Sequence, residues 1–173
     1  LLNSFMKERL KYEFRFDNLS RLASISEEND VLIWIFHIDK IPPHIGISSQ
    51  GVFFSLKSNG KDLLETRYVN QVCNNKEIKM LKVKLRFSIS SGYIERVYQE
   101  YTSATSAECS CLSPIKKALN MPKEVMKLSD LLKVLKERDL ITGWHSTNVS
   151  EQEAGIRAYD LFDIDARLNK LHA

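Results

Sequence analysis

Cys111 stands in the run Glu108-Cys109-Ser110-Cys111-Leu112-Ser113-Pro114-Ile115-Lys116-Lys117, where a thiol meets the start of a helix. Ser113 can cap that helix and Pro114 suits its first position. Ile115, Ala118 and Leu119 continue at helical spacing. A thiol placed there faces unpaired N–H donors and partial positive charge, and both favour the thiolate. Upstream, Pro42-Pro43-His44-Ile45-Gly46-Ile47-Ser48 supplies an imidazole. A cysteine nucleophile needs a base beside it, donors for an oxyanion and a group that orients the base. His44 is the best base, because two prolines stiffen the chain before it, and Gly46 leaves room on the same strand face for a substrate chain. The chemistry would be acyl transfer. His44 takes the thiol proton, Cys111 attacks an amide, ester or thioester carbonyl, and the N–H groups of Cys111 and Leu112 receive the oxyanion. Sulfur and ring nitrogen are then expected within about 4 Å. Blander roles stay open: Cys111 as a small buried hydrophobe, and His44 as a loop residue packed on the prolines.

The remaining candidates are weaker. His37 lies in an apolar strand and reads as a buried imidazole bonded to backbone. His145 follows Trp144 at a helix end, where it caps or faces solvent. His172 is terminal. Cys109 lies farther from the helix start than Cys111, and Cys73 falls at a helix end and reads as inert. Cys109-x-Cys111 with His44 and His145 could supply four metal ligands, but no second short-spaced pair accompanies them. No metal and no cofactor is expected.

These residues need elements to position them. Val31 to Ile38 is apolar on both faces and rich in β-formers, which predicts a central strand ended by Pro42-Pro43. Ile45 to Ser48 and Val52 to Leu56 are short strands joined by the Ser49-Gln50-Gly51 turn, with a second turn at Ser58 to Lys61. Leu81 to Ile89 alternates apolar residues with Lys82, Lys84, Arg86 and Ser88, which predicts a strand with one wet face. Tyr12, Phe14 and Phe16 alternate similarly. Phe5, Met6 and Leu10 suggest a short helix, and Asn18 to Ile25 another turn or two. Leu63 to Asn75 allows a helix. Tyr93 to Tyr101 and Leu128 to Leu140 have helical spacing, the latter ended by Gly143, with a loop over Ser146 to Ser150. Ala154 to Leu171 reads as a final helix or two. The economical reading is α+β: one domain over residues 1–173, a small antiparallel sheet with helices packed on one face, a core over about 31–140 and a helical extension over 150–173.

Composition sets wider bounds. A chain of 173 residues can bury a real core. Its net charge of +3, with Lys and Arg spread along the chain, does not imply nucleic acid. No run approaches the roughly 20 apolar residues of a membrane span, and nothing at the start reads as a secretory signal. Three cysteines, an odd number, fit a reducing compartment, so a cytoplasmic location is expected.

The order of these parts resembles the circularly permuted papain-like fold of NlpC-type peptidases, the lecithin:retinol acyltransferase group and PPPDE peptidases. There a His opens a strand in a His-x-Gly/Ala-Ile/Val pattern, a glycine turn and a second strand follow, and a helix precedes a Cys that starts another helix. His44-Ile45-Gly46-Ile47, Gly51 to Leu56, the Tyr93–Tyr101 helix and Cys111 fall in that order, over about Val31 to Leu140. The chain also resembles a Bacteroidetes family with Pro-Pro-His-Ile-Gly and Cys-Leu-x-Pro-Ile patterns, which implies no activity. The first resemblance implies a thiol hydrolase or acyltransferase acting on a peptide, protein or acyl substrate, with a polar residue on the second strand orienting the base. Ser55 holds that place here, with Lys57 just beyond it. Two other functions compete: a non-catalytic interaction module of the same fold, and a thioester carrier of ubiquitin-conjugating type, against which stands the lack of a His-Pro-Asn tripeptide before the cysteine.

Overall fold

The computed structural model describes residues 11–173; the expected helix around Phe5, Met6 and Leu10 lies outside them. The chain is α+β, built on an antiparallel six-stranded sheet. Its strands are β2 (Val31–Phe36), β3 (His44–Ser49), β4 (Val52–Lys57), β5 (Gly60–Glu65), β6 (Met80–Leu85) and β7 (Ile141–Thr147), in the order β5-β4-β3-β2-β6-β7. A separate ribbon pairs β1 (Tyr12–Arg15) with β8 (Gly155–Arg157). The helices are α1 (Thr66–Asn75), α2 (Ser91–Tyr98), α3 (Ser113–Ala118), α4 (Leu128–Glu137) and α5 (Leu161–His172).

The period of two along the strands divides the side chains between two faces. Ile33, Ile35, Ile45, Ile47, Phe54 and Val83 point to the first face and form the main core with α2, α3, α4 and α5. Trp34, Phe36, Phe53 and Met80 point to the second, where Val69 and Cys73 of α1 cover them. The expected single layer of helices is therefore joined by one helix on the other side. β2 is buried on both faces, as its unbroken apolar run requires.

Several expectations change. The Leu63–Asn75 segment divides into the end of β5 and α1. Asn18 to Ile25 holds no helix; Arg21 instead bridges to Trp144. The strand expected from Leu81 to Ile89 ends at Leu85, and its wet face is not wet at Lys82. That ammonium is buried over the Trp34 ring, 4.3 Å from its centroid, and 2.7 Å from the Glu27 carboxylate. Gly143 does not end a helix. It lies inside β7, which pairs with β6 and completes the sheet. Ala154 to Tyr159 gives β8 and a loop before α5.

Candidate active site

β3 opens at His44, directly after two prolines, and its ring stacks on its cross-strand neighbour Phe36 with centroids 5.8 Å apart. The register between β3 and β4 runs from Ser49–Val52 to Gly46–Ser55. The Cys111 sulfur lies by the backbone N–H of Ile45, the next residue along β3. Cys111 reaches that place on a loop pinned at two points before it. The N–H of Ala104 donates to the Lys57 carbonyl at 2.8 Å, and that of Ala107 to the Asp165 carboxylate at 2.7 Å.

The start of α3 differs from the expected cap. Leu112 occupies the cap position and offers no side-chain acceptor; Ser113 is the first helical residue. Its hydroxyl accepts instead from the Ser110 N–H at 3.0 Å, and the Ser110 hydroxyl accepts from the Leu112 N–H at 3.2 Å. This local pair of bonds shapes the turn that carries Cys111.

His44 and Cys111 line one cleft of about 740 Å³. It runs around the end of the sheet where β3 begins. The His44 ring faces the second side, whereas Cys111 packs with the core of the first. The walls come from the segment Phe36–Pro43, from α1 and from α5. Ile41, Tyr68 and Leu171 give it an exposed apolar rim.

Burial pushes the Cys111 thiol up, and the N–H groups of Ile45, Cys111 and Leu112 only partly offset it by favouring the anion. Burial likewise lowers His44 to about 4; the Asp62 carboxylate opposes this, while Lys57 and His37 add to it. At neutral pH the resting pair is a thiol and a neutral imidazole, not the thiolate that a helix start alone predicts. The His44 ring makes no hydrogen bond among the described residues.

Ser55 is fully buried on β4, opposite Gly46 and hence on the same face as His44. Its hydroxyl donates to Asp62 on β5 at 3.1 Å, and the other Asp62 oxygen lies 2.8 Å from the Lys57 ammonium. The hydroxyl proton is thereby committed, which leaves the Ser55 oxygen as an acceptor for a ring N–H. Asp62 is the residue that sequence reasoning missed. Its signal was the alternation of Gly60 to Glu65 directly after a turn.

Other candidates are placed differently. Gly46 does not leave an open floor: the Phe53 ring lies over it, 2.3 Å from where a Cβ would stand. His37 is past the end of β2, at φ 55°, and lines the cleft rather than the strand interior. Burial lowers its pKa, with Lys40 adding to the effect. Cys73 also lines the cleft, with a thiol raised by burial. The Cys109 thiol contacts the Ser103 carbonyl at 3.7 Å. His145 sits on β7 with Nδ1 3.1 Å from the Leu22 carbonyl, and His172 contacts the Ala104 carbonyl at 3.0 Å. Among the described residues no cluster of three His, Cys, Asp or Glu could hold a metal. Nor, among them, is any helix long and apolar enough to cross a membrane.

No protein family, curated protein or solved structure matches this chain.

Proposed function

We propose that the cleft is the active site of an intracellular cysteine-dependent hydrolase or acyltransferase with a permuted papain-like arrangement, acting on an amide, isopeptide or ester bond. The observation that carries this reading is that Cys111 and His44 line one cleft, with three backbone N–H groups around the sulfur. His44, neutral at working pH, accepts the thiol proton as sulfur attacks the carbonyl carbon. The N–H groups near the sulfur receive the developing oxyanion. The imidazolium then returns the proton to the leaving amine or alcohol, which gives a Cys111 thioester. Water or an acceptor amine cleaves it and restores the thiol. Asp62 is a positioning residue whose charge favours the His44 imidazolium, and the Ser55 hydroxyl holds that carboxylate.

The interaction-module reading has its own support in the raised thiol and the apolar rim. A p-nitrophenyl ester assay with intact-mass detection of the acyl adduct separates the two. The adduct is expected on Cys111 and absent from Cys111→Ala. His44→Gln is expected to slow acylation by about 10²–10⁴-fold, the usual worth of a general base, and the wild-type rate to fall as pH drops toward about 4. Acylation of Cys73 or Cys109 instead, or a rate indifferent to His44→Gln, would sink the enzymatic reading.

A further inference from the structure

β5 ends the six-stranded sheet, and β4 is its one strand neighbour. At the opposite end of the sheet β7 is covered. The Trp144 N–H donates to the Ser20 carbonyl at 3.0 Å, and the Leu22 N–H to the Trp144 carbonyl at 2.7 Å. No such cover lies along β5 among the described residues. A bare edge is a row of unpaired N–H and C=O groups, which proteins usually blunt with a proline, a bulge or a very short strand. β5 holds no proline, runs for six residues and keeps an unbroken register with β4.

The phase of the ladder fixes which residues face outward. The Thr66 N–H donates to the Gly51 carbonyl at 3.0 Å. Bonded and non-bonded pairs alternate along an antiparallel ladder, so Leu64 and Asp62 also turn their backbone groups toward β4. Lys61, Leu63 and Glu65 turn theirs outward, where they have no partner among the described residues. The side chains of these three residues share one face and are exposed, Leu63 at 54%. The Lys61 ammonium donates to the Tyr98 carbonyl at 3.1 Å, and neither Lys61 nor Glu65 has an ion-pair partner among the described residues.

This edge is complementary to itself. Two copies laid antiparallel about Leu63 bring Leu63 against the partner's Leu63, and Lys61 against the partner's Glu65 in both directions. The residues so paired are the ones whose backbone groups face outward, and each such pair exchanges two hydrogen bonds. Opposite charges set directly across a ladder stabilise it, and like charges oppose it. A shift of two residues either way loses both ion pairs, and a shift of one breaks the hydrogen-bond phase.

We propose that β5 is a homodimer interface: two copies of the chain pair antiparallel about Leu63 and join their sheets into one. The proposal does not rest on the chemistry of the Cys111 cleft. Each edge is short, so the dimer is weak and reversible. Sedimentation equilibrium of the whole protein, from micromolar to millimolar, tests it. A monomer–dimer equilibrium is expected. Leu63→Lys, which sets two ammonium groups against each other at an exposed position, is expected to leave the protein monomeric over that range. Lys61→Glu and Glu65→Lys each create two like-charged pairs and are expected to weaken the dimer at least about tenfold, while the variant carrying both exchanges regains it. Amide exchange locates the contact without any variant: the Lys61, Leu63 and Glu65 amides are expected to slow as protein concentration rises. A monomer at every concentration overturns the proposal, as does a dimer indifferent to Leu63→Lys or with those amides unprotected. Failure of the double exchange to restore the dimer overturns the register about Leu63.

Discussion

His44 sets the conditions under which Cys111 can act. Its ring is held neutral by burial against Phe36, with the positive charge of Lys57 nearby adding to the effect. Proton transfer from sulfur is then coupled to attack, in contrast to a preformed thiolate–imidazolium pair. The same burial makes stability depend on pH with a definite sign. An unfolded histidine titrates near 6.5, and His44 in the fold titrates at about 4. Between those values the unfolded chain carries the extra proton, so stability is full above about pH 6.5 and falls as pH drops to about 4. A shift of this size corresponds to about 3 kcal/mol. Glu13 and Glu27 also lose stabilisation on acidification. Burial opposes the ionised form of each, but their lysine partners, Lys127 and Lys82, hold both carboxyls below the usual value. The test is therefore a difference. Urea midpoints of wild type and His44→Gln, measured from pH 7.5 to 4, are expected to converge as pH falls; parallel curves would show that His44 is not buried neutral.

At the scale of elements, the β3–β4 pair builds the site and leaves little slack. The Phe53 ring crosses Gly46 and is locked between Trp34 at 5.4 Å and Phe36 at 5.6 Å. A Cβ on residue 46 would stand 2.3 Å from that ring and 2.7 Å from the Phe54 carbonyl oxygen. Gly46→Ala is expected to cost about 1–3 kcal/mol, the usual range for overpacking. Gly143→Ala should cost less, because its close neighbours are atoms at the end of the Leu22 side chain. Chemical denaturation ranks the two, and an equal or reversed order would show that Phe53 can give way. The strands that carry His44 were legible in the sequence because an apolar run, two prolines and a glycine turn mark them without ambiguity. β5 was not, since its burial alternates and Leu63 stays exposed, so the segment merges with α1 in the apolar pattern. Asp62 was lost with it. β7 was hidden by its place directly after α4, where Gly143 mimics a helix terminator. Lys82 misled for a related reason: alternation shows which face a residue takes, and a carboxylate from a distant loop decides whether a charge there can be buried.

Across the whole molecule, the cleft exists because the second face of the sheet is covered only in part. α1 packs on Trp34, Phe53 and Met80, and α5 closes the opposite side of the cleft while belonging to the core of the first face. That double role is visible in single residues. Ile164 and Leu168 are buried in the main core and also line the cleft, one turn from Arg167 and Leu171 at its mouth. Phe162, on the same helix, is 77% exposed, against 8% for Leu168. Truncating Leu168 removes core contacts and enlarges the cleft, so Leu168→Ala is expected to cost about 2 kcal/mol, the low end for a leucine beside open space. Phe162→Ala should stay within about 0.5 kcal/mol of wild type, as surface changes do. Unfolding midpoints measure both. A Leu168→Ala cost no larger than that of Phe162→Ala would mean that the Leu168 side chain does not tie α5 to the core. The expected inequality would make it a fixed wall, whose apolar side chains set how much of a substrate beside Cys111 is shielded from water.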